Sequence, residues 1–216
     1  AALHLGFCIS GHGFGHATRA IAVMQTLEQR LPVRFTILTT APAWLFASSL
    51  GCPHQIHPLH TDIGLIQQDA LNGDLPATLE ALHRFYPLRT TIIDQAAALL
   101  QGCALVLCDI APLGIAAAQQ LGVPSVLVEN FTWDWIYQGY VGQCPGLQHL
   151  IEYMGPLFAQ ASHRLQTIPV CQPVSGAVAV SPVARPLRRP ELIRQRLFCE
   201  PNQRLVLLTM GGLGLQ

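Results

Sequence analysis

Three alternating glycines between an apolar run and a helical pattern constrain this chain most. In Cys8-Ile9-Ser10-Gly11-His12-Gly13-Phe14-Gly15-His16-Ala17-Thr18-Arg19, an apolar segment enters a turn that tolerates positive φ and close approach of a ligand to the backbone. A helix starting there aims its free N–H groups and the positive end of its dipole at the same spot, which suits an anion or a polar ligand. His12 and His16 stand in this turn, where an imidazole exchanges protons near neutral pH.

The same strand-to-helix step recurs along the chain. Residues 3–9 read as a strand, and residues 17–31 as a helix with Ile21, Met24, Leu27 and Leu31 at helical spacing. The β-branched run at 33–39 predicts a second strand, followed by a helix over 42–50 that Gly51 ends and a short strand over 54–58. Residues 60–73 read as a long loop, of a length that marks functional segments. Residues 75–100 read as helical, divided by Pro87 near Tyr86. A strand over 104–108 ending on Asp109, a helix over 112–121 ended by Gly122, a strand over 125–128, a helix over 147–161 and a strand over 163–168 complete the pattern. This alternation predicts an α/β, Rossmann-like, mostly parallel sheet flanked by helices. In such sheets the ligand crevice lies at the carboxyl ends of the strands, so residues 10–16, Asp109 and residues 129–134 should share one rim.

From residue 169 onward the prolines at 169, 173, 182, 186 and 190 break the periodicity. The expected organisation is a Rossmann-like domain over 1–170, an interdomain linker over 171–190, and the start of a second domain over 191–216. That second unit would hold a helix over 191–198 and a strand over 204–209 running into Met210-Gly211-Gly212-Leu213-Gly214, with its remainder beyond residue 216. Charge excludes some partners: 12 basic and 12 acidic residues cancel in a chain that is only 11% charged, which gives no electrostatic case for nucleic acid or a membrane surface. The apolar stretches fall short of the ~20 residues of a membrane span. The first strand lacks the basic flank of a signal peptide, and seven cysteines without CxxC spacing read as reduced thiols of a cytoplasmic protein.

Several site readings fail on spacing. The third glycine of a dinucleotide fingerprint would fall on His16, and the second strand ends in Thr39-Thr40 where an acidic ribose ligand is expected. No Gly-Lys-Ser/Thr phosphate loop occurs, and His12 and His16 have no cysteine or carboxylate at zinc-ligand spacing. His16 is distinguished because a helix N-terminus favours the uncharged imidazole that a general base needs. Asp109 either orients His16 through its other ring nitrogen or caps the helix beginning at Pro112. Asn130-Phe131-Thr132-Trp133-Asp134-Trp135 reads as a stacking wall for a sugar or base, or as packing beneath the next helix.

With these residues in view, the chain resembles the N-terminal half of GT-B-type glycosyltransferases, in particular the glycosyltransferase-like domain of bacterial hypothetical proteins and of plant L-arabinokinases. The resemblance is carried by residues 11–19, by Thr61-Asp62-Ile63-Gly64 with Gln68-Asp69-Ala70-Leu71, by Asp109-Ile110-Ala111-Pro112, and by residues 128–137. It implies an acceptor-side domain facing a donor-side domain that holds a nucleotide sugar, UDP-linked by expectation. His16 matches the base of many inverting members, and Asp109 the aspartate paired with it. Substrate contacts are expected from Gly11, His12, Gly13, Phe14, Gly15, Arg19, Asp62, Asn130, Trp133 and Asp134, and donor-phosphate contacts from Gly211, Gly212 and Gly214. The scheme requires no cofactor and no metal. A UDP-sugar 2-epimerase relative and a non-catalytic sugar-binding module are the competing readings, and a chain ending at residue 216 is expected not to turn over alone.

Overall fold

The apolar run Leu3–Ile9 forms an inner strand, β1, of a seven-stranded sheet. A computed structural model describes residues 2–69, 71–185, 189–200 and 202–207. The other strands are β2 (Val33–Thr39), β3 (His54–Pro58), β4 (Leu105–Asp109), β5 (Ser125–Glu129), β6 (His163–Thr167) and β7 (Val178–Val180). Every pairing is parallel, in the order β3-β2-β1-β4-β5-β6-β7. The chain therefore winds outward on one side of β1 and then on the other, so the order reverses between β1 and β4, where a crevice opens at the carboxyl ends.

Side-chain alternation along β1 explains the two packed faces. Leu5, Phe7 and Ile9 pack with Ala17, Ile21 and Met24 of α1 (Gly15–Arg30) and with Leu45 and Phe46 of α2 (Ala43–Ala47). Cys8 points the other way, into a core shared by α3 (Leu75–Phe85), α4 (Thr90–Leu99), α5 (Pro112–Leu121), α6 (Trp133–Gln138) and α7 (Gln148–Ala159). All seven cysteines are free, with Cys8, Cys103 and Cys108 buried. Among the described residues no helix is long and apolar enough to cross a membrane.

The expected strands over 3–9, 33–39 and 54–58 form at those residues. The long helical region divides into α3 and α4 around Tyr86-Pro87, where proline lacks the N–H that a continuous helix needs. The structure also adds elements to those expected, α6 among them. The stretch read as a linker contains β7, which extends the sheet beyond β6; three residues between prolines and glycines carry too little periodicity to announce a strand. Residues 204–207, the described part of the expected strand over 204–209, belong to no strand of the described sheet, and Val206 and Leu207 are 74% and 84% exposed. Residues 208 and 209 of that expected strand, and Gly211, Gly212 and Gly214, lie outside the described residues. A final helix, α8 (Pro190–Arg196), buries no side chain.

Helix α5 lies against the point of reversal with no room to spare. A Cβ on Gly114 would sit 2.6 Å from Cys8 Cβ and 2.8 Å from the sulfurs of Cys8 and Cys108, closer than real contacts allow. Gly114→Ala is therefore expected to lower stability by about 1–3 kcal/mol through overpacking, measured by urea denaturation; an unchanged midpoint would contradict this packing.

Candidate functional site

The site grows from the ladder between β1 and β4. Ile9 is in register with Asp109, and Ser10 N–H donates to Asp109 C=O at 3.2 Å, which carries the glycine turn to the end of β4. Gly13 takes φ +70, the left-handed conformation glycine adopts without strain, and α1 begins two residues later. His16 and Arg19 lie three residues apart on α1 and so share a face, which meets Asp109.

Asp109 is buried and fully engaged. Its Oδ1 lies 2.7 Å from His16 Nδ1 and accepts from Arg19 Nη2 at 2.6 Å, while Oδ2 accepts from Arg19 Nε at 2.7 Å. Burial pushes the Asp109 carboxyl up, but the hydrogen bonds from Arg19 and His16, with their charges, outweigh burial and hold it below the usual carboxylate range. An ionised carboxylate has no proton to give, so His16 Nδ1 is the donor and the lone pair of the neutral ring resides on Nε2. His16 is 8% exposed, and it lines a cleft of about 350 Å3 together with His12, Gly15, Arg19, Asn130 and Phe131. Asp109 does not cap α5, whose N-terminus carries no side-chain cap.

Arg19 binds strand ends together. Its Nη1 donates to Asn130 Oδ1 at 3.1 Å and to Thr167 Oγ1 at 3.2 Å, which joins the ends of β5 and β6 to β4. Burial opposes its charge, but Asp109 and Glu129 outweigh this and raise its pKa. Arg19 thereby braces the floor of the cleft that it lines. Asn130 is held by the same guanidinium.

An aromatic row forms one wall. His16 meets Phe131 edge-on at 6.0 Å, Phe131 meets Trp133 at 5.6 Å, and Trp133 meets His12 at 5.1 Å. Trp133 is 2% exposed and donates its indole N–H to Asp62 Oδ2 at 2.6 Å, so it supports the wall from within and offers no open stacking face. Asp62 is enclosed as well: burial pushes its carboxyl up to about 6 against the lowering effect of hydrogen bonds from Ser10 and Trp133. Burial, and then the neighbouring His16, lower the pKa of His12. Phe14 stays half exposed, edge-on to Trp44 at 6.1 Å. Gly11 lines a neighbouring cavity with His12 and Asp62. Asp134 stands apart: its Oδ1 is buried without a partner and its other oxygen faces Gly155 of α7.

Sequence reasoning missed Thr167 and Ile168, which line the cleft. It also missed the network behind them, in which Glu129 Oε1 accepts from Arg164 Nε at 2.8 Å and from Gln166 Nε2 at 2.7 Å. Gln166 in turn accepts from Val174 N–H and donates to Gln172 C=O. The available signal was the polar pair Gln166-Thr167 closing an otherwise strand-like run.

No protein-family model matches the sequence. Over 144 residues the chain is 35% identical to L-arabinokinase of Arabidopsis thaliana, a match covering 64% of this chain and 14% of that protein. Among solved structures, UGT2 of Phytolacca americana superimposes with a TM-score of 0.51 at 13% identity, covering 84% of this chain and 54% of that one. SsfS6, a glycosyltransferase of Streptomyces sp. SF2575, superimposes with a TM-score of 0.50 at 15% identity, covering 82% and 53%. The fold is that of the GT-B glycosyltransferases. The chain spans about half the length of these solved glycosyltransferases, and the cleft of this GT-B-type unit sits where its strand order reverses.

The buried Asp62 gives the GT-B-type unit a measurable pH signature. With a folded value near 6 against an ordinary 3.8, the folded chain holds a proton between pH 4 and 6 that the unfolded chain has released. Stability then falls as pH rises through this window, and above it the cost reaches the order of 3 kcal/mol. Asp62→Asn keeps an oxygen to accept from Trp133 and carries no charge. It is expected to raise the melting temperature at pH 8 and leave it unchanged at pH 4; equal effects at both would refute the assignment.

Proposed function

We propose that this chain is the acceptor-side half of a glycosyltransferase that moves a sugar from a nucleotide-sugar donor to an acceptor hydroxyl, with His16 as general base. The observation that carries the reading is the pairing of His16 Nδ1 with Asp109 at 2.7 Å on the wall of the cleft. This pairing occupies one ring nitrogen and leaves Nε2 to accept a proton. Asp109 stabilises the imidazolium that forms, and Arg19 keeps that carboxylate ionised and fixed.

In the reaction, Nε2 takes the proton of the acceptor hydroxyl as its oxygen bonds to the anomeric carbon of the donor. The bond from that carbon to the diphosphate oxygen breaks, and the nucleoside diphosphate leaves with the electron pair. A UDP-linked donor is favoured by analogy, since UGT2 of Phytolacca americana is described in complex with UDP-2-fluoro-glucose and pterostilbene. The glycine-rich sequence at Gly211, Gly212 and Gly214 is the candidate for the donor diphosphate, because successive backbone N–H groups suit such an anion. No cofactor enters this scheme, and a cytoplasmic setting fits seven free thiols.

Incubated in its full natural length with UDP-sugars and hydroxylated acceptors, the protein is expected to release UDP only when an acceptor is present. His16→Ala should slow release by about 10²–10⁴-fold with donor affinity unchanged by calorimetry. Full activity in His16→Ala would remove His16 as the base, whereas tight donor binding without release in the wild type would make this a binding module.

A further inference from the structure

His12 lines two cavities. One is the cleft of His16; the other, of about 320 Å3, has Ile63, Leu65 and Ile66 as apolar lining and Thr40, His60 and Asp62 as polar lining. Its wall is built from irregular chain that is nonetheless tied down. Thr61 Oγ1 donates to Ile9 C=O at 2.9 Å, Tyr137 OH donates to Ile63 C=O at 2.6 Å, and Ile66 N–H donates to Thr78 Oγ1 at 2.9 Å. Segments fixed in this way present a preformed surface, which lowers the entropy cost of binding.

The partition between the cavities is fixed by close contact. A Cβ on Gly64 would fall 2.6 Å from His12 Nδ1 and 2.7 Å from its Cγ, so only glycine lets the imidazole lie against the loop backbone. Trp133 holds the same ring edge-on at 5.1 Å and is itself anchored to Asp62. The two cavities thus adjoin across one immobilised side chain.

We infer that the second cavity is a subsite for an uncharged sugar ring of the acceptor, which makes the acceptor a glycoside. This inference rests on the reading of the His16 cleft as the place of transfer. The chemistry of the lining selects the class. A phosphorylated or carboxylated ligand would face the Asp62 carboxylate, and among the described residues no arginine or lysine lines the cavity to compensate. A wholly apolar ligand would cover Asp62, Thr40 and the imidazoles without giving them hydrogen-bond partners, which costs binding energy. A neutral ring with hydroxyl donors and one apolar face satisfies both kinds of lining.

The test is calorimetric titration of the full-length protein with methyl hexopyranosides and methyl pentopyranosides, hexose 6-phosphates and 2-naphthol. At least one methyl glycoside is expected to bind about tenfold or more tightly than its 6-phosphate and than 2-naphthol, a gap of about 1.4 kcal/mol. Ala81 lines the cavity, and Ala81→Leu, which fills it, should weaken that binding by a similar factor while leaving the affinity for UDP unchanged. Ile66→Phe, at a position 40% exposed, narrows the cavity should Ala81→Leu fail to fold. Tighter binding of the phosphates or naphthol, no binding of any glycoside, or glycoside binding indifferent to both variants would overturn the inference. The two readings fail separately: glycoside binding lost in Ala81→Leu without transfer from any donor would end the transfer reading and keep the subsite. Transfer to acceptors that both variants leave unaffected would do the reverse.

Discussion

The buried ion pair of Arg19 and Asp109 is the interaction on which the site depends. Removing a carboxylate from water costs several kcal/mol, and here two hydrogen bonds from one guanidinium and a third from His16 compensate it. The same guanidinium reaches Asn130 and Thr167. One side chain of α1 therefore holds the ends of β4, β5 and β6 in fixed relation. His16 inherits its orientation from this arrangement, since the carboxylate that positions its ring is itself immobilised.

Topology places that ion pair where a ligand can reach it. A parallel sheet covered on both faces leaves its strand ends as the accessible polar surface, and the reversal between β1 and β4 keeps helices from crossing above that point. The glycine turn then brings backbone and two imidazoles to the rim. On one side the row from His16 through Phe131 and Trp133 to His12 closes the wall, and Asp62 secures it from behind through the indole N–H. The cost of burying Asp62 is accepted in exchange for a fixed partition between two cavities.

Much of this was legible in the sequence. Apolar runs bounded by glycine and proline located β1, β2 and β3, and the rule for ligand crevices put His16 and Asp109 on one rim before any contact was known. What periodicity does not report is which polar side chain meets which. Arg19 and Asp109 are 90 residues apart in sequence, and only the register of β1 with β4 brings them together, so the ion pair could not be read from spacing. Trp133 read equally as a stacking wall or as packing, because a helix face becomes visible only after α6 and its neighbours are placed. The strand β7 was hidden among prolines.

The central claim is that Asp109 holds His16 as the tautomer with a proton on Nδ1 and a lone pair on Nε2. Long-range proton–nitrogen correlation spectra of the neutral imidazole test it directly. The account predicts a pyrrole-type Nδ1 and a pyridine-type Nε2 for His16. A pyridine-type Nδ1 with the proton on Nε2 would contradict it, because that ring has no base to offer at the cleft.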